Sequence, residues 1–224
     1  MGRGEGKARP VRRPGGEVWE AWKMLKVIGI AGSARREGNS STLLKAVLAG
    51  ATSAGARTEC VYLNELNFRG CQGCTPCTED ATCRIKDELT PVLAAVRAAD
   101  IWVLAAPIYF DGVCGQMKLF FDRLHHLINQ AGKTKKLLPG KRAAAVVITY
   151  EDKPRDDYLD VARRMVYYLG WMGDFDPTEI LVGARLRPPD AARARPELLA
   201  EAEELGRRLV EGLTRRRAGR AGQA

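Results

Sequence analysis

Five short apolar runs punctuate this chain, and each gives way to a polar loop and then to apolar residues at helical spacing. The runs are Lys26–Ala31, Thr58–Leu63, Ile101–Ala106, Arg142–Thr149 and Glu179–Val182. They are nearly continuous in apolar character rather than alternating, which suits strands covered on both faces. Between them the spacing lengthens to that of a helix. Leu43, Leu44, Val47 and Leu48 follow the first run, and Leu89, Val92, Leu93 and Val96 follow the second. Gln116, Met117, Leu119, Phe120, Leu124 and Leu127 follow the third. Helices are predicted over 85–98, 156–171 and 196–213, besides those beginning near Ser40 and Gln116. Alternation of this kind predicts an α/β fold, a doubly wound parallel sheet with helices on both faces. Ligands of such sheets sit at the carboxyl ends of the strands. The polar loops after the first three strands should therefore open on one edge.

The first of these loops reads GSARREGNSSTLL from Gly32. It offers the hydroxyls of Ser33, Ser40, Ser41 and Thr42, the Asn39 amide and the Arg35 guanidinium, with a helix N-terminus directly behind. Free N–H groups and the positive end of the helix dipole make this a phosphate site on physical grounds. Neither Gly-x-Gly-x-x-Gly nor a Walker Gly-Lys-Ser/Thr is present. The competing reading is a serine-rich helix cap.

The second loop reads CQGCTPCTEDATC and holds Cys71, Cys74, Cys77 and Cys83, four of the six cysteines. Thiolates spaced two apart let one short loop curl around a single metal centre. Cys-x-x-Cys-x-x-Cys is the run with which bacterial ferredoxins hold a cubane. Here the fourth cysteine follows after five residues and no proline succeeds it, so it would close the same cluster. Structural zinc, which favours two knuckles joined by a longer spacer, and a loop that binds nothing are the alternatives. A disulfide scaffold suits small secreted chains and is not expected here.

At 224 residues, one domain is the default. The net charge of +9 is the only unusual bulk property. Its arginines and lysines crowd the ends, from Arg3 to Arg13 and from Arg207 to Arg220, where basic residues are ordinarily solvated. No aromatic-and-basic surface accompanies them, so nucleic acid is not an expected partner. The positive field suits an acidic redox protein better. Residues 1–23 form a basic extension expected to be disordered, and 214–224 a basic tail expected to be the same. Met24 stands close enough to the first strand to be an alternative start. No apolar stretch reaches membrane-spanning length and no secretory signal is visible, so the expected location is cytoplasmic and not membrane-bound.

The phosphate loop, the cysteine loop with IKDEL after it, and APIYFDGVCGQMKLFFDRL after the third strand together resemble the NADPH-dependent FMN reductase family. Within it they resemble the iron–sulfur flavoproteins, from about Met24 to Gly183. The resemblance implies a flavodoxin-like sheet of order 2-1-3-4-5 spanning 24–213, with the cysteine loop at 71–83. It implies FMN bound without a covalent link, and a [4Fe–4S] cluster on Cys71, Cys74, Cys77 and Cys83. Ser33, Arg35, Asn39, Ser40, Ser41 and Thr42 would hold the phosphate. Pro107, Ile108, Tyr109, Phe110, Asp111 and Gly112 would line the flavin, and Thr149 and Tyr150 would touch its ring. No amino-acid side chain is expected to be catalytic, because the cofactors carry the chemistry. Ferredoxin or NAD(P)H would donate electrons, with NADPH a candidate co-substrate. Oxygen, peroxide or a quinone would accept them, and the assembly would be a homodimer or homotetramer. A cluster-free NAD(P)H-dependent FMN or quinone reductase and a non-catalytic flavodoxin-like carrier are the alternatives. The chain departs from relatives at Tyr150-Glu151-Asp152-Lys153-Pro154, which is bulky and charged where a glycine-rich loop is common.

Other conspicuous residues read as structural. Cys60 and Cys114 read as small buried hydrophobes. Asp87 and Glu88 suit a helix start. A triad reading of His125 and His126 has little support, and Trp171 suits core or a subunit interface.

Overall fold

The computed structural model describes residues 24–74, 77, 81–128 and 138–221, together with strands β1 (Val11–Arg12) and β2 (Val18–Trp19), which pair antiparallel. The rest of the basic N-terminal extension lies outside the described residues, so its expected disorder is untouched. The central sheet contains β3 (Lys26–Ala31), β4 (Arg57–Tyr62), β5 (Ile101–Tyr109), β7 (Leu138–Thr149) and β8 (Gly173–Gly183). All neighbours on this path are parallel, in the order β4-β3-β5-β7-β8. In chain order that is 2-1-3-4-5, the flavodoxin-like arrangement the sequence implied. A short strand β6 (Gly112–Val113) folds back antiparallel on the end of β5.

The inner strands β3, β5 and β7 are buried on both faces, and alternate residues show it, whereas edge strand β4 has no fully buried residue. Ile28, Ile30, Trp102, Leu104, Val146 and Ile148 belong to the apolar cluster on one face. It is completed by α2 (Leu89–Ala98), α3 (Gly115–Arg123) and α4 (Leu159–Met172). Val27, Ile101, Val103, Ala145 and Val147 join the cluster on the other face, with α1 (Asn39–Ser53) and α5 (Pro196–Ala221). This two-sided burial is why the strands read as unbroken apolar runs. No helix of the described residues is long and apolar enough to cross a membrane.

Three elements differ in extent from the reading of the sequence. Strand β5 continues through Pro107, Ile108 and Tyr109, where the sequence predicts a loop, because β6 supplies a hairpin partner. Helix α2 starts at Leu89 rather than near Ile85, because the Asp87 carboxylate takes the Leu89 N–H at 3.2 Å and so acts at the helix entrance. Pro91 then falls within the first turn, where its missing N–H costs little. Helix α5 runs to Ala221, so the expected disordered tail from 214 is corrected over most of its length. Its arginines find acceptors along the amino-terminal edge of the sheet. Arg217 bonds the Asp100 carboxylate at 2.8 Å, and Arg216 lies 3.1 Å from that of Asp176.

Candidate functional site

A cavity of about 710 Å³ opens at the carboxyl ends of β3, β5, β7 and β8. Its first wall is the loop from Ser33 to Ser40. A tight turn folds this loop, with Gly38 N–H donating to Arg35 O at 3.1 Å. Ser33 Oγ accepts the Arg35 N–H at 3.0 Å, and Ser41 Oγ donates to Arg35 O at 2.9 Å. Helix α1 then begins with no side chain capping it and no acidic residue in its first turn. An uncapped helix entrance beside Ser33, Arg35, Gly38 and Ser40 suits a phosphate anion. A Cβ on Gly38 would lie 3.0 Å from Arg35 Cβ and 3.3 Å from Ser33 Oγ, so a side chain there would press on the turn.

Of the six residues expected at the phosphate, Ser33, Arg35, Asn39 and Ser40 line the cavity. Ser41 and Thr42 do not. Ser41 is buried in the turn, and Thr42 Oγ1 is buried with no hydrogen-bond partner among the described residues. The Asn39 side chain points its chemistry elsewhere. Its Nδ2 donates to Leu186 O at 3.0 Å and Pro188 O at 2.8 Å, and its Oδ1 accepts the Ala192 N–H at 2.8 Å. Asn39 is thus a clamp on the segment after β8, and only its backbone is left to face the cavity.

The second wall is the β5–β6 hairpin. Phe110 and Asp111 form its two-residue turn with φ of 47° and 59°, the left-handed region that turns of this kind demand. Phe110 is fully exposed and Tyr109 half-exposed, while Asp111 Oδ1 accepts the Tyr158 hydroxyl at 2.7 Å. That hydrogen bond, followed by burial, pushes the Tyr158 phenol up. Of the residues expected at the flavin, Pro107, Ile108, Tyr109, Phe110 and Asp111 line the cavity, but Gly112 does not. Val113, Cys114 and Gly115 do so instead. Cys114 is buried, and its thiol donates to Gly32 O at 3.0 Å, tying this wall to the first. Burial pushes the Cys114 thiol up, opposite to the lowering that a helix N-terminus favours.

Thr149 and Tyr150 line the third wall. Tyr150 is buried, donates from its hydroxyl to Arg155 O at 2.6 Å, and meets the Tyr158 ring edge-on at 4.9 Å. The charged stretch Glu151, Asp152 and Lys153 also reaches the cavity, with Leu186, Arg187 and Pro189. The sequence reading missed this last group, although it follows the fifth strand and the same edge argument covers it.

None of the described residues of the cysteine loop lines the cavity. The loop lies against α3, whose first residue Gly115 lines the cavity and whose last residue Arg123 bonds Cys83 Sγ at 3.2 Å. Those ends are separated by about 12 Å of helical rise. Cys77 is buried while Cys71, Cys74 and Cys83 are half-buried, and all six cysteines are free thiols. Burial, then the neighbouring Cys74, Cys71 and Cys83 thiols, pushes Cys77 up. Among the described residues no three side chains of ligating type converge on one point. Thr75, Pro76 and residues 78–80 of the loop lie outside the described residues. The donor set of four thiols in one loop suits a soft metal centre.

The profile of the NADPH-dependent FMN reductase family matches residues 25–172. The chain belongs to that family. An iron–sulfur flavoprotein of Methanocaldococcus jannaschii is 38% identical over 99 residues, which is 44% of this chain and 51% of the relative. An iron–sulfur flavoprotein of Archaeoglobus fulgidus is 34% identical over 100 residues, 45% of this chain and 46% of the relative. The chain spans about half the length of these curated relatives. An FMN-dependent NADH:quinone oxidoreductase of Jannaschia is 30% identical over 196 residues, 80% of this chain and 98% of that protein. Among solved structures, an NAD(P)H:quinone oxidoreductase from Methanothermobacter marburgensis superposes with a TM-score of 0.63 at 20% identity, covering 83% of this chain and 97% of its own. At that identity the likeness speaks for the fold of this FMN reductase family member.

Proposed function

We propose that this FMN reductase family member is an FMN-dependent oxidoreductase whose cysteine loop carries a [4Fe–4S] cluster. The observation that carries the flavin half is the cavity itself, walled on one side by an uncapped helix entrance with Arg35 and on the other by the Tyr109–Phe110 hairpin. When bound, FMN supplies hydride and single-electron chemistry, and a cluster supplies single-electron exchange. The backbone N–H groups of Asn39 and Ser40, the Ser33 and Ser40 hydroxyls and Arg35 would hold the phosphate. Pro107–Asp111, Thr149 and Tyr150 would flank the ring, with Cys114 fixing the spacing of the two main walls. Cys71, Cys74, Cys77 and Cys83 would hold the cluster, and α3 would set its distance from the cavity. Supporting the cluster are the thiol spacing and the iron–sulfur flavoproteins among the relatives. Ferredoxin or NAD(P)H is the proposed donor, and oxygen, peroxide or a quinone the proposed acceptor. The active form would be a cytoplasmic homodimer or homotetramer.

A second reading, a cluster-free NAD(P)H-dependent quinone reductase, draws on the Jannaschia relative, which matches over nearly its whole length. Anaerobic purification with iron, sulfide and flavin analysis separates the two. The first predicts brown protein with four irons per [4Fe–4S] cluster that dithionite bleaches. In that case Cys77→Ser removes iron and leaves FMN. Yellow protein without iron that oxidises NADPH rapidly establishes the second instead.

A further inference from the structure

Arg123 is buried at 1% exposure, and its side chain donates five hydrogen bonds. Nε reaches Cys83 Sγ at 3.2 Å. Nη1 reaches Arg69 O and Asp87 Oδ2, both at 2.7 Å. Nη2 reaches Ile85 O at 3.3 Å and Asp87 Oδ1 at 3.2 Å. A guanidinium has five N–H groups, so none is left over. Arg69 lies two residues before the first loop cysteine, and Ile85 two after the last. One planar cation therefore holds both ends of the cysteine loop and one of its sulfurs. A buried arginine must be paired to be tolerated, and the Asp87 carboxylate pairs this one through two bonds.

We propose that Arg123 is the positioning residue of the cysteine loop. It staples the loop at its neck and presents a fixed N–H donor and positive charge to the Cys83 sulfur. The inference rests on the cluster reading above only for its electrochemical part. A hydrogen bond to a ligating sulfur stabilises the reduced, more negative cluster and raises its potential. Lysine keeps the charge but not the planar fork, so it should not replace arginine here.

The test compares the wild-type chain with Arg123→Lys and with the double variant Arg123→Met/Asp87→Asn. The double variant removes both charges together, which avoids stranding a buried carboxylate. Metal-free chains are followed by hydrogen exchange, and anaerobically iron-loaded chains by iron content, flavin content and midpoint potential. In both variants, exchange should accelerate about tenfold or more over 69–87 while the sheet keeps wild-type rates. The loaded double variant should either lose iron while keeping FMN, or keep iron at a lower potential. Wild-type exchange over 69–87 overturns the proposal, as does acceleration spread evenly over the whole chain. Full iron at the wild-type potential also overturns it. Iron-free wild type with accelerated 69–87 exchange in the variants would sink the cluster reading and leave the staple standing.

Discussion

Gly50 and Gly206 lie in the same crossing between α1 and α5, each against the backbone of the opposite helix. A Cβ on Gly50 would fall 1.8 Å from Glu203 O, and one on Gly206 would fall 2.0 Å from Val47 O. Backbone cannot yield as a side-chain tip can, so the helices would have to separate. Gly50→Ala and Gly206→Ala should each destabilise the chain by about 1–3 kcal/mol, the usual cost of overpacking, although alanine is the better helix former. Urea titration of the two variants checks this, and a neutral or stabilising result at either would refute the packing.

Asn39 should matter for stability and for flavin together. Asn39→Ala leaves two carbonyls and one N–H of the 186–192 segment without their partner, at about 1–3 kcal/mol for buried groups. Leu186, Arg187 and Pro189 line the cavity, so FMN affinity should fall as well. Asn39→Asp should be no better, because a carboxylate would face the Leu186 and Pro188 carbonyls. Denaturant titration and quenching of FMN fluorescence measure the two effects. A variant that loses flavin without losing stability would show that the side chain contacts the phosphate after all.

Cys114 carries a pH dependence whose sign is fixed by its burial. Above about pH 8.5 the unfolded thiol ionises, while the folded thiol, pushed up by burial, keeps its proton and its bond to Gly32 O. Its contribution is therefore present in full below that pH and is lost as pH rises through the folded value. Cys114→Ala should cost about 1 kcal/mol at pH 7, and this gap should shrink toward pH 10. Thermal unfolding of both chains across that range decides it; a gap that widens with pH would contradict the assignment.

Phe110 occupies a left-handed position without the help of glycine or asparagine. Such a residue costs about 1–3 kcal/mol, and Phe110 is too exposed to recover that by packing. Phe110→Asn should raise the stability of the flavin-free chain by up to about 1 kcal/mol and weaken FMN binding. Calorimetry with and without FMN tests both halves. Weaker binding without a gain in stability would leave the strain argument unsupported.

Much of this molecule is legible in one dimension. The five strands, the burial of the inner ones on both faces and the edge that carries the cavity follow from runs of apolar residues and the loops between them. The extents of β5 and α5 were not legible, because each depends on a partner from elsewhere: β6 in one case, Asp100 and Asp176 in the other. Arg123 left a trace in the sequence, since it falls three residues after Phe120 and six after Met117, on the buried stripe of α3. A charge there announces a partner but does not name it. Asn39 was read from its place at the helix entrance as a phosphate ligand, and the return of residues 186–192 gives its amide other work.

Neighbours along the chain were enough to settle strand or helix, apolar or polar face, a thiol-rich loop and a polar turn at a helix entrance. Tertiary structure alone decided which distant backbone each polar group meets, since those partners stand dozens of residues away and only the closed sheet brings them within hydrogen-bond reach. Periodicity is local, whereas the satisfaction of a buried polar group is a demand that any part of the fold can meet.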